Sequence, residues 1–108
     1  GTLLWTSPEL LRNSRRTLSG TMPGDAYSFG IILQEVLLRR GPFYRADLTL
    51  TPEEIVAKVR QGNDFRPSVD SDELNGEMMQ LMRQCWHEDP TQRPDFNQIR
   101  HSMKRINK

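Results

Sequence analysis

The chain has 108 residues, enough for one small domain. Its hydrophobic share of 35% is low for a self-sufficient core, which predicts a helix-rich piece that leans on neighbours to fold. Fifteen basic and fourteen acidic residues leave a net charge of +1, so no global field draws the chain to nucleic acid or to a membrane surface. A single cysteine excludes an internal disulfide and favours a reducing, intracellular setting. No signal peptide is visible. The longest apolar run, Phe29 to Leu33, is far short of the roughly 20 residues a membrane helix needs. The first residue is Gly1 rather than Met, in keeping with a piece of a longer parent.

Gly1 to Thr6 reads as loop or extended chain. Ser7-Pro8-Glu9 is a helix start: a capping residue, a proline suited to the first helical position, and an acid at the positive helix end. That helix is short, ending near Asn13. Asn13 to Gly24 is a polar loop holding Arg15-Arg16-Thr17-Leu18-Ser19. Phosphates on Thr17 or Ser19 would meet arginine partners at once, so both are candidate phosphorylation sites; a solvated surface loop is the plainer reading.

The next helix is predicted from about Asp25 to Arg40. Phe29, Ile31, Ile32, Leu33, Val36, Leu37 and Leu38 cover nearly all its sides, which predicts a buried central strut. Gly41-Pro42 stops it. Thr51-Pro52-Glu53-Glu54 supplies a cap, a first-turn proline and a capping box for a third helix, closed by Gly62. Asn63 to Asp72 is loop, with Phe65-Arg66-Pro67 inside it. Leu74, Met78, Leu81, Met82 and Cys85 recur at helical spacing. Asp89-Pro90 opens a turn. Asp95, with Gln98 three residues on, starts a last helix whose stripe is Phe96, Ile99, Met103 and Ile106. No segment sustains strand alternation, so the expectation is five helices and an all-α fold.

Glu9 and Arg93 each sit beside a proline in segments with little local reason to hold a charge. Were they to meet, a bidentate pair would tie the first loop to the last helix; two unrelated surface charges is the alternative. His87 and His101 have no recognised zinc spacing, there is no Gly-rich phosphate loop, and no Gly-x-Ser-x-Gly elbow. Met78, Met82 and Met103 read as core filling. The basic end Lys104 to Lys108 suits the negative helix terminus better than nucleic acid.

Three patterns stand in fixed order: Trp5-Thr6-Ser7-Pro8-Glu9, Asp25-Ala26-Tyr27-Ser28-Phe29-Gly30, and Cys85-Trp86-His87-Glu88-Asp89-Pro90-Thr91-Gln92-Arg93-Pro94. Together they resemble the last third of a protein-kinase-like domain, so residues 1–108 are expected to be a partial domain: its C-terminal helical lobe, from the Ala-Pro-Glu-like motif to the last helix. Glu9 matches the Glu of that motif and Arg93 the Arg of the closing motif, which in the family form a buried ion pair. Asp25 matches the Asp that anchors the catalytic loop, with Tyr27 where Trp is usual. The continuous run Tyr27 to Glu35, with Leu4 to Leu11, Arg39 to Phe43 and Cys85 to Lys108, is similar to the kinase-homology domain of receptor-type guanylate cyclases.

That resemblance implies a regulatory pseudokinase piece with no catalytic, cofactor-binding or metal-binding residue of its own. The parent would bind ATP mainly through its missing N-lobe. Its cyclase domain would use GTP with Mg to make cyclic GMP and pyrophosphate. Implied partners are the missing N-lobe and catalytic-loop segment, the cyclase domain and a second copy of the parent, with no nucleic acid, on the cytoplasmic side of a membrane. The competing reading is the C-lobe of an active tyrosine or tyrosine-like kinase. A helical interaction module without enzymatic ancestry is the third.

Overall fold

A computed structural model describes residues 2–12, 22–41, 43–45, 49–68 and 76–106. Five α-helices stand in chain order: α1 (Pro8–Arg12), α2 (Met22–Leu38), α3 (Pro52–Arg60), α4 (Gly76–Cys85) and α5 (Phe96–Ile106). Among the described residues there is no strand. No helix is long and apolar enough to cross a membrane.

The caps read at Thr51 and Asp95 are made, but the one read at Ser7 is not: its hydroxyl is buried and accepts no α1 amide, and only its carbonyl joins the helix. The Thr51 hydroxyl accepts the Glu54 N–H at 3.2 Å while the Glu54 carboxylate accepts the Thr51 N–H at 3.0 Å. The Thr51 N–H foremost, and the Thr51 hydroxyl after it, hold the Glu54 carboxyl below its usual range. At α5, Asp95 and Gln98 make the same reciprocal exchange, at 2.8 and 2.9 Å. Each box satisfies amide groups that a helix start leaves without intrahelical partners.

Three further local expectations are corrected. The opening, read as loop or extended chain, is a 3₁₀ turn over Thr2–Trp5. Helix α2 begins at Met22, three residues before Asp25, because Pro23 is tolerated in a first turn. It ends at Leu38 rather than Arg40: Arg39 turns left-handed at φ 55° ahead of Gly41. The turn expected at Asp89-Pro90 is made, as a 3₁₀ turn over Pro90–Gln92 that the Asp89 side chain caps by accepting the Thr91 N–H.

Helix α2 is the strut, but not buried on every side. Its inner face is Ala26, Tyr27, Gly30, Ile31 and Gln34, while Ile32 and Val36 stay 45% and 60% exposed. Helix α4 crosses the inner face. At the crossing a Cβ on Gly30 would lie 2.9 Å from Cys85 Cβ and 3.4 Å from the Met82 carbonyl. Glycine is what lets the two backbones approach this closely. Met78, Met82 and Cys85 point into this core, with Met103 partly buried beside it. Burial pushes the Cys85 thiol up to about 12, so it remains a protonated, small hydrophobe.

Candidate functional site

Glu9 stands in the first turn of α1 and Arg93 just after the 3₁₀ turn Pro90–Gln92, 84 residues apart in the chain. The fold brings them together. Arg93 Nη1 donates to Glu9 Oε2 at 2.8 Å and Nη2 to Glu9 Oε1 at 2.9 Å, the parallel fork that a guanidinium offers a carboxylate. Nε donates to the His87 carbonyl at 2.8 Å, and Nη1 also reaches the Pro23 carbonyl at 3.0 Å. The Arg93 side chain is fully buried while that of Glu9 keeps 25% exposure. Burial acts to raise the Glu9 carboxyl, yet the Arg93 hydrogen bonds and smaller local contributions outweigh it and hold the group below its usual range.

A second guanidinium lies nearby. Arg66, buried in the loop after α3, donates Nε to the Trp86 carbonyl at 2.7 Å, Nη1 to the Phe65 carbonyl at 2.8 Å and Nη2 to Glu88 Oε1 at 2.8 Å. Between the two arginines sits Tyr27 of α2. The Arg66 Cζ is 5.0 Å and the Arg93 Cζ 5.2 Å from its ring centroid, both within cation–π range. The ring is fully buried and its hydroxyl has no hydrogen-bond partner among the described residues. Burial pushes the phenol up to about 12, against the pull of both guanidiniums. Glu88 links outward as well, to Arg12 at the end of α1 at 3.5 Å. Arg12 in turn donates to the Arg60 carbonyl at the end of α3, at 3.1 Å.

Three segments therefore meet on α2: the α1 start, the loop at 65–67 and the turn at 87–93; further along, α2's own Gln34 holds two more stretches of chain. Gln34 Nε2 donates to the Tyr44 and Ser68 carbonyls, at 3.2 and 2.9 Å. At the opening, the Ser28 hydroxyl lies 2.7 Å from the Trp5 carbonyl and Trp5 Nε1 donates to Glu35 at 3.3 Å. Each contact fixes position. None pairs a nucleophile with a base, and among the described residues no three His, Cys, Asp or Glu side chains are grouped to hold a metal.

Asp25 lies exposed in the first turn of α2 and is not drawn into the Glu9–Arg93 pair. Thr17 and Ser19 lie outside the described residues. His87 and His101 are both exposed. Sequence reasoning missed Arg66 and Glu88. The signal was present, because Arg66 precedes Pro67 in an otherwise plain loop, the same charge-beside-proline feature that singled out Glu9 and Arg93.

A family model described as protein tyrosine and serine/threonine kinase matches residues 2–103. Atrial natriuretic peptide receptor 2 of Homo sapiens is 53% identical over 107 residues, covering 97% of this chain and 10% of the receptor. Retinal guanylyl cyclase 1 of Bos taurus is 47% identical over 106 residues, covering 97% of this chain and 9% of the cyclase. Receptor-type guanylate cyclase gcy-28 of Caenorhabditis elegans is 40% identical over 118 residues, covering 98% and 9%. The chain thus spans about a tenth of the length of these relatives.

Proposed function

The chain belongs to the protein tyrosine and serine/threonine kinase family, as the all-helical C-terminal lobe of that fold, and from this premise we propose that it serves a receptor guanylate cyclase as part of a regulatory pseudokinase domain. The observation that carries the proposal is the identity of 47–53% with natriuretic peptide receptor 2 and retinal guanylyl cyclase 1, sustained over 97% of the chain. In this reading the parent lies across a membrane with this lobe on the cytoplasmic side, works as a homodimer, and its cyclase domain converts GTP, with Mg, to cyclic GMP and pyrophosphate. ATP bound mainly by the N-lobe tunes that conversion.

The lobe itself performs no chemistry in this reading. Phosphoryl transfer needs a base, a metal-binding Asp and a phosphate-covering loop, and the residues gathered around Tyr27 are none of these. Their work is mechanical. The Glu9–Arg93 fork joins the segment that opens the lobe to the turn before α5, and the Arg66–Glu88–Arg12 chain joins α1 to the loop after α3. Any shift of the opening segment, where the N-lobe and catalytic-loop segment would attach, is passed to α5. Coupling of this kind has meaning only between two sites and two states: ATP in the N-lobe and the pairing of cyclase domains. Asp25, exposed at the start of α2, is free in this reading to anchor the catalytic-loop backbone, and Thr17 and Ser19 are candidate regulatory phosphorylation sites.

The test is to read the open reading frame on both sides of the segment and assay the full-length product. A catalytic-loop Asp missing upstream, a coiled coil and cyclase domain downstream, and cyclic GMP formation that ATP alters are the expected results. Intact His-Arg-Asp and Asp-Phe-Gly motifs upstream with no cyclase downstream would make this the substrate-side lobe of a working kinase. Cyclase activity indifferent to ATP would remove the regulatory part alone.

A further inference from the structure

Helix α3 carries a face that the interior uses only in part, with Val56 packed against the core on one side and open on the other. Glu53, Val56, Ala57 and Arg60 recur at i, i+3, i+4 and i+7, which stacks them on one side of the helix. With Leu3 and Leu4 of the opening 3₁₀ turn they line an open groove of about 380 Å³. Its floor is apolar: Leu3 is 38% exposed, Val56 half-buried and Ala57 exposed. Its ends carry opposite charges, Glu53 toward the start of α3 and Arg60 at its end, both exposed. The Arg60 carbonyl is occupied by Arg12, but neither the Glu53 carboxylate nor the Arg60 guanidinium has an ion-pair partner among the described residues.

The order of these groups is self-complementary. An antiparallel copy of α3, related by a twofold axis between Val56 and Ala57, sets Glu53 against the other copy's Arg60 and Val56 against its Ala57. Both charge pairs then form at once, about 10 Å apart. Parallel pairing, by contrast, would set like charges against each other. The small Ala57 side chain at the axis lets the two helices come close. Opposite charges at the two ends also suit the helix dipole, but that role does not require them to flank an open apolar floor.

We infer that this groove docks a second copy of the same chain, α3 against α3 in antiparallel order, through an isologous contact. Exposed pairs contribute little each, so the charges set register while the apolar floor supplies contact. One short helix and one turn cover less than the roughly 1,200 Å² of a standard interface, so the contact is weak and forms between chains already held near one another. The groove is read from the structure alone, while what holds two chains near one another rests on the homodimeric parent proposed above.

The experiment uses the full-length chain with Ala57→Cys, co-expressed under two different tags and treated with a short bifunctional maleimide. Adducts between tags are measured against the chain without A57C and against Gln80→Cys on the exposed side of α4. The expected result is an adduct at A57C well above both. Adding Glu53→Arg, or adding Arg60→Glu, turns both pairs repulsive and lowers the yield roughly tenfold, the change that two exposed pairs reversed in sign bring. Co-expressing the E53R chain with the R60E chain restores both attractions, and the yield returns. These residues are exposed, so the single reversals leave folding intact and the mixed pair reports on docking. An adduct no stronger than at Q80C overturns the proposal. So does a yield indifferent to the reversals, or an A57C thiol that a monofunctional maleimide cannot reach because another segment covers the face.

Discussion

Arg93 gathers three carbonyl or carboxylate partners from three parts of the chain, and its side chain is fully buried. Removing it strands Glu9 and two carbonyls together. Breaking one side of a buried pair costs roughly 3–5 kcal/mol, and the 25% exposure left to Glu9 puts Arg93→Ala near the low end. Urea unfolding of the complete domain should show that loss, and a change near zero would mean the pair holds nothing. The carboxylate side adds a pH signature. Glu9 is held below its ordinary value of 4.5, so its share of stability is present above about that pH and is lost as the pH falls through the lower folded value. The melting temperatures of wild type and Glu9→Gln should therefore differ at neutral pH and converge as the pH falls below that ordinary value. A gap that widens on acidification would overturn the assignment. Glu9 and Arg93 were legible in the sequence because charge beside proline in a bland segment needs an explanation. Arg66 satisfied the same criterion and passed unremarked, since its partner Glu88 lies in a run of charged and polar residues, His87 to Asp89, where no single acid stands out.

At the scale of elements, caps and apolar spacing told most of the story. The capping boxes at Thr51 and Asp95 are local, complete within four residues, and are made as read. What local pattern cannot carry is a close approach between elements far apart in the chain. Gly30 stood in the sequence as the last residue of the Asp25 pattern, and the crossing of α2 and α4 gives the physical reason for it. Replacing it with alanine gains about 1 kcal/mol of helix propensity. Against that, the new methyl meets Cys85 Cβ at 2.9 Å, a contact with no flexible side chain to yield. Overpacking of this kind costs roughly 1–3 kcal/mol, so the balance for Gly30→Ala is a net loss of about 1 kcal/mol. A denaturation midpoint that rises instead would mean that α4 slides aside at little cost. The early start of α2 has a similar origin: Pro23 and Gly24 read as loop residues, but the Pro23 carbonyl is held by Arg93 from the other end of the chain.

For the whole molecule, the all-round apolar pattern of α2 is the reading that the structure divides in two. One half is core. The other, with Ile32 at 45% and Val36 at 60% exposure, faces outward. The radius of gyration, 13.5 Å, is close to the roughly 13 Å of a free-standing domain of this length, so the open face does not come from a ragged fold. A sequence pattern records every surface that a helix buries in its working state, including surface buried against chain lying elsewhere in the parent. That explains why the pattern overstated burial here, and it makes a measurable difference. Truncating a side chain that touches little costs little, whereas the same truncation under a packed neighbour costs the transfer of its buried methyls, about 1 kcal/mol or more for Val36→Ala. In the proposed kinase-like parent the catalytic-loop segment and N-lobe lie outside this chain, and their surface would cover the open face of α2. Val36→Ala should therefore leave the unfolding midpoint of the 108-residue chain nearly unchanged and lower that of the complete domain. Equal effects in both would mean that nothing in the parent covers this face, and that the apolar half-turns of α2 serve some other contact.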